Sequence, residues 1–174
     1  RGYAGAATTI VDLGGKTLTP GFIDPHSHYF SALSVANQVN VFAPPAGPGK
    51  DLPSIVAALQ KFRDERRVPE GVPIQAYGYD DNAMPGGQQL TRDALDAAFP
   101  HNPVLVGHVS MHGAVLNSAA MQQFGLSAST PTPPGGVILR KPGSNEPAGL
   151  VMETAYLPIF AALPKPTPEQ EIEW

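Results

Sequence analysis

Asp24, His26 and His28 occupy alternate positions in the segment Phe22-Ile23-Asp24-Pro25-His26-Ser27-His28. In an extended chain, residues i, i+2 and i+4 project to one side, so a carboxylate and two imidazoles would share a face. Two imidazoles so spaced at a strand end can share one metal ion. A borderline-soft divalent ion such as zinc suits imidazole nitrogen. Two histidines are too few for a catalytic zinc site, which usually takes three protein ligands and a water. Further ligands are therefore expected outside this segment. An H-x-H pair alone is common by chance. The apolar Phe22-Ile23 before it and the Pro20-Gly21 break read as a short buried strand that ends where the ligands begin. Pro25, which has no N–H, suits a strand end.

The other chemistry-bearing residues lie downstream. His112 follows the apolar run Pro103–His108 and could donate a hydrogen bond to a substrate carbonyl or carboxylate. His108 and His112 are four apart and could chelate an ion from a helix, but His108 ends a strand-like run, which argues against it. Asp80, between Tyr79 and Asp81, opens a polar, Gly-rich loop of the kind that shapes pockets. Asn117 reads as a helix cap. Glu153 reads as a first-turn helix residue or a substrate contact, and His101 as a surface loop residue. There is no cysteine, which removes disulfides, thiolate ligands and cysteine nucleophiles together and fits a reducing compartment. No G-x-S-x-G elbow or phosphate loop is present.

These residues need elements to position them. Ala6–Leu13 is β-branched and reads as a strand, with Gly14-Gly15 as a turn. Ser31–Asn37 reads as a short helix and 43–49 as loop. Asp51–Arg67 is the clearest helix, with Leu52, Ile55, Val56, Leu59 and Phe62 on one face. Strands are expected at 72–79 and 103–108. Helices are expected from Arg92 to Phe99, capped by Thr91, and from Asn117 or Ser118 to Phe124, with Gly125 at its end. Val137–Arg140 and Ala148–Met152 read as a hairpin. A helix over Glu153–Leu163 meets an objection in Pro158, and Thr167 could cap a last helix with Pro168 behind it. Strands alternate with helices, which favours an α/β architecture.

Composition narrows the partners. The 174 residues include 20 prolines and 18 glycines, and only 15% are charged against an average of roughly 25%. The net charge of −4 carries no basic stripe, so nucleic acid is not an expected partner. No apolar run approaches the roughly 20 residues of a membrane span, and no signal peptide is visible. The expectation is no membrane and a cytoplasmic location. The first residue is Arg1 and the chain stops inside an expected helix, so a piece of a longer protein is expected.

Several motifs, in order, resemble a known family. Thr17-Leu18-Thr19-Pro20-Gly21-Phe22-Ile23-Asp24-Pro25-His26-Ser27-His28 is similar to the first-strand motif of the amidohydrolase superfamily, preceded by Ile10–Lys16 as its approach from a flanking β-sandwich. Gly78-Tyr79-Asp80, Thr91–Asp96, Pro103–His108, Ser110–Met121, Pro134-Gly135-Gly136 and Gly149–Glu153 resemble the amidohydrolase family 3 branch, the group similar to N-substituted formamide deformylase. Met111 departs from it, standing where a small residue such as Gly is expected. The resemblance implies a partial (β/α) TIM barrel of the metal-dependent hydrolase type, with an inserted α/β segment. Residues 1–19 would end the sandwich and 20–174 would begin the barrel, incomplete. It implies His26 and His28 as ligands of a divalent metal, zinc by preference. It also implies His112 and Asp80 as substrate contacts, with Asp24, Asn117 and Glu153 as weaker or supporting candidates.

The implied reaction is hydrolysis of a carbon–nitrogen bond other than a peptide bond, in a small amide, formamide or cyclic amide, by metal-activated water. The remaining ligands and the acid/base carboxylate of such a site are absent here, so the chain alone is expected to be inactive. A partial barrel exposes strand edges, which makes pairing with a second copy an expectation. Two rival readings are a non-catalytic interaction fragment and a metal-dependent phosphoesterase. The second would want basic residues near His26 and His28, and none stands there.

Overall fold

Backbone pairing defines which segments share a sheet. The computed structural model describes residues 2–26, 28–165 and 167–169. Among the described residues six strands pair into one sheet: β1 Val39–Asn40, β2 Ile74–Tyr79, β3 Val104–His108, β4 Gly113–Leu116, β5 Gly136–Arg140 and β6 Pro147–Glu153. Their order is β1-β2-β3-β4-β6-β5. β1, β2 and β3 run parallel, and the remaining neighbours are antiparallel.

Helices cover both faces. α1 is Tyr29–Val35, α2 Leu52–Arg66, α3 Arg92–Ala98, α4 Ser118–Gln123 and α5 Leu157–Ala162. Asp51 opens α2 with a capping box to Ser54, and Thr91 caps α3 through the Ala94 N–H, so each satisfies backbone donors that a helix start leaves free. On one face Ile55, Leu59 and Leu95 pack on Ile74, Ala76, Val104, Val106 and Val115. On the other, Ala120, Met121 and Ile159 pack on Leu105, Ala114, Leu116, Ile138 and Val151. α5 begins at Leu157, not Glu153, which places Pro158 in its first turn, where no intrahelical N–H is missed. The last expected helix, from Thr167, falls mostly outside the described residues. No helix is long and apolar enough to cross a membrane among the described residues.

Two expected strands are absent. Ala6–Leu13 forms none, and Ile10 and Val11 are 81% and 71% exposed. The segment before the histidines forms none either, with Phe22 100% and Ile23 91% exposed. A strand exists only when its N–H and C=O groups find a neighbouring backbone. All the ladders of this sheet lie within residues 39–153. The described sheet is open and mixed, within an α/β fold. Two strands, β1 and β4, were not expected. β4 reads Gly-Ala-Val-Leu, weak in strand propensity, and becomes a strand because β3 and β6 pair with it from either side.

A bulge in β2 sets the face of one residue that matters below. Ala76 pairs with Val106 and Tyr79 with His108, so β2 carries one extra residue between them. The extra residue returns Tyr79 to the face of Ala76. Gly78 adopts φ +93°, and a Cβ there would lie 2.7 Å from the Phe42 ring. Gly78→Ala is therefore expected to cost about 2–4 kcal/mol, from strain and overpacking together. Urea unfolding checks this, and a loss below about 1 kcal/mol would show that the bulge does not depend on glycine.

Candidate functional site

The sheet's direction gathers the candidates. β6 runs parallel to β3, since both are antiparallel to β4. The carboxyl ends of β2, β3 and β6 and the start of β4 therefore share one edge, where ligand crevices of α/β sheets form. Tyr79, Asp80 and Asp81 leave β2 there, His108 ends β3, His112 precedes β4 and Glu153 ends β6.

His108 Nε2 lies 3.0 Å from Asp81 Oδ1, and Nδ1 lies 2.7 Å from Ser110 Oγ. The Ser110 backbone N–H also donates to Nδ1, at 3.1 Å. A backbone N–H only donates, so Nδ1 is a bare acceptor and the ring proton sits on Nε2, given to Asp81. Ser110 Oγ donates to His108 and accepts the His112 N–H at 3.2 Å. Asp80 accepts the Asn82 N–H at 3.0 Å and so caps a 3-10 turn over Asp81–Ala83. Ligand atoms of Asp80, Asp81 and His108 lie within 4.8 Å of one another, close enough to share an ion. An ion on Nε2 would require the proton on Nδ1, where the Ser110 N–H already points. The described arrangement is therefore that of a hydrogen-bond relay. Asp81 and His108 also line a cavity of about 150 Å³ with Tyr79, Gln89, Leu90 and Met152. Tyr79 Oη accepts the Leu90 N–H at 2.9 Å. Burial, chiefly, raises the Tyr79 phenol above its ordinary pKa and keeps it neutral.

His112 and Glu153 meet across the β4–β6 ladder. His112 Nδ1 lies 3.1 and 3.2 Å from the two Glu153 carboxylate oxygens, and the Glu153 N–H donates to the His112 carbonyl at 2.8 Å. Glu153 adopts φ +54° and Met111 φ +63°. The left-handed conformation explains why a small residue is expected at Met111, since a Cβ is disfavoured there.

His26 and His28 bring their Nε2 atoms to 3.0 Å of each other, with ring centroids 4.8 Å apart and both rings exposed. They do so without the extended backbone that their spacing suggests. Asp24 Oδ1 accepts the His26 N–H at 3.0 Å, bending the chain there. Asp24 is thus a turn residue on the histidine pair's own backbone. The two nitrogens share a hydrogen bond; zinc–nitrogen bonds of about 2.0–2.1 Å would hold them roughly 3.3 Å apart, a spacing close to the one seen. Among the described residues no third imidazole or carboxylate joins them.

Residues 9–174 match the Amidohydrolase family. The chain belongs to that family. It is 33% identical over 163 residues to YtcJ of Bacillus subtilis (strain 168), covering 93% of this chain and 29% of that protein. It is 32% identical over 155 residues to N-substituted formamide deformylase of Arthrobacter pascens, covering 89% of this chain and 28% of the enzyme. The chain therefore spans less than a third of the length of these relatives. Its fold resembles crystal structures of uncharacterized metal-dependent hydrolases from Pyrococcus horikoshii OT3, with a TM-score of 0.51 at 19% identity, and from Pyrococcus furiosus, with 0.50 at 21%. Each covers 88% of this chain and 24% of the solved one.

In this amidohydrolase chain the sheet edge joins Asp80 to Asp81 and His108, and His112 to Glu153. No described contact ties His26 and His28 to either group. Asn117 stands apart in the core. It caps α4 from a fully buried position and bonds four backbone groups. His101 is exposed. The relay of Asp81, His108 and Ser110 was missed from sequence. Its only signal there is His108 two residues before Ser110 at a strand end.

Proposed function

We propose that this chain is the leading portion of a metal-dependent hydrolase of carbon–nitrogen bonds other than peptide bonds, acting on a small amide, formamide or cyclic amide. The observation that carries the reading is the approach of His26 and His28 Nε2 to 3.0 Å in a chain of amidohydrolase sequence. The name of the Arthrobacter relative supports an amide or formamide substrate. His26 and His28 hold the divalent ion, and zinc suits the imidazole pair best. When bound, the ion lowers the pKa of a water and polarises the substrate carbonyl. His112 and Asp80 border the substrate from the sheet edge, and Asp24 holds the backbone of the ligand pair.

The remaining ligands and the acid/base carboxylate belong to chain beyond these residues. Phe22 and Ile23 then form the first strand of a partial TIM barrel once neighbours pair with them, and residues 1–19 lead in from a β-sandwich. The absence of cysteine supports a reducing, cytoplasmic location. The unpaired segment also leaves room for association with a second copy.

The test is metal removal. The full-length protein is expected to hydrolyse an N-substituted formamide, to lose that activity on chelation and to regain it with zinc. The isolated 174-residue chain is expected to show none. Unchanged turnover after complete metal removal, read by elemental analysis, would reject the reading.

A further inference from the structure

His112 and Glu153 lie 41 positions apart, yet the ladder between β4 and β6 binds their backbones together. An ionised carboxylate has no proton to give, so the hydrogen between Glu153 and His112 must sit on Nδ1. In the neutral ring Nε2 is then a lone pair. Nε2 has no partner among the described residues, and the His112 side chain is 63% exposed at the edge where the candidates gather. This tautomer offers an acceptor at Nε2 rather than a donor.

The arrangement is held from both sides. Ser110 Oγ takes the His112 N–H, and behind Ser110 stand His108 and Asp81. A Cβ at Gly113 would lie 2.7 Å from the Val151 carbonyl, so the start of β4 sits tight against β6. Met111, just before His112, and Glu153 itself both hold left-handed backbone that a side chain disfavours. Such strain persists where surrounding contacts over-determine it, and it clusters at functional sites.

We propose that Glu153 holds His112 in the Nδ1–H tautomer so that Nε2 accepts a hydrogen bond from substrate, and that the site thereby selects amides carrying an N–H. This rests on the reading of the chain as part of an amide hydrolase, and it specifies the substrate class. A secondary amide offers both a carbonyl oxygen and an N–H. His112 reads the N–H, which an N,N-disubstituted amide or an ester lacks. Glu153 acts through His112 and is a positioning residue.

Two measurements on the full-length, metal-loaded protein test this. The first compares kcat/KM for an N-monosubstituted formamide and its N-methylated counterpart. One exposed hydrogen bond predicts about a tenfold preference for the N–H compound. In Glu153→Gln the amide can either donate to or accept from Nδ1, so the preference is expected to fall toward unity. The second reads the His112 ring by ¹⁵N NMR above its titration range. A protonated Nδ1 and a bare Nε2 are expected in the wild type, with mixed tautomers in E153Q. A wild-type ring protonated on Nε2, or a preference unchanged in E153Q, overturns the proposal. Turnover of neither amide by the wild type sinks the hydrolase reading and the selectivity with it. The ring spectrum then still decides the dyad separately.

Discussion

Asn117→Ala is expected to destabilise the folded chain by about 3–5 kcal/mol, among the larger costs of a single substitution. The side chain is fully buried, and its oxygen accepts the N–H groups of Val104 at 2.9 Å and Ala120 at 3.0 Å. Its nitrogen donates to the carbonyls of Phe99 at 3.1 Å and Asn102 at 2.8 Å. One side chain thus ties the start of β3, the first turn of α4 and the connection after α3. Alanine leaves these backbone groups without the partner, in a place water does not reach, and each carries a desolvation cost. Asn117→Asp keeps the shape and the acceptors but cannot donate to the two carbonyls while ionised, so it is expected to be at least as damaging. Denaturant unfolding of both variants checks this. A cost below about 1 kcal/mol for N117A would mean that the four bonds are not what holds this junction.

His26→Ala and His28→Ala are each expected to weaken divalent metal binding by more than about 100-fold. Even partners outside the ligand shell are worth 10–100-fold, and a direct ligand is worth more. Activity of the full-length protein should fall with the metal. The rings are exposed, so neither change removes core packing, and the loss should appear without a change in unfolding midpoint. Asp24→Asn supplies the contrast. Asp24 Oδ1 accepts the His26 N–H, and an asparagine oxygen accepts it equally well. That variant is expected to keep most of its metal. Calorimetric titration of zinc into the stripped protein reads all three. An Asp24→Asn loss as large as that of His26→Ala would place Asp24 on the ion directly.

Three helices were readable from their caps. Asp51, Thr91 and Asn117 announce the starts of α2, α3 and α4, and apolar spacing gives α2 its buried side. A helix closes its hydrogen bonds within its own sequence, so local signals suffice. β3 and the β5–β6 hairpin were readable as well, from their apolar runs and the turn between Lys141 and Glu146. Strand signals misled where the partner was missing. Ile10, Val11, Phe22 and Ile23 carry β-rich sequence and lie exposed, while Gly113–Leu116 carries little and lies at the centre of the sheet.

The candidate site divides along the same line. The spacing of His26 and His28 proposed a shared ion from five consecutive residues, and their Nε2 atoms do meet, although through a bend. The motifs from Ile10 to Glu153 were also enough to assign the amidohydrolase family. No spacing could pair Asp81 with His108, 27 positions away, or His112 with Glu153, 41 positions away. Those pairs depend on strand order and register, which place β6 beside β4 and Met152 opposite Gly113. Residue type and local spacing carry the identity of this chain. The proton positions on His108 and His112 come only from neighbours that the folded sheet delivers, because a hydrogen bond depends on distance in space and not along the chain.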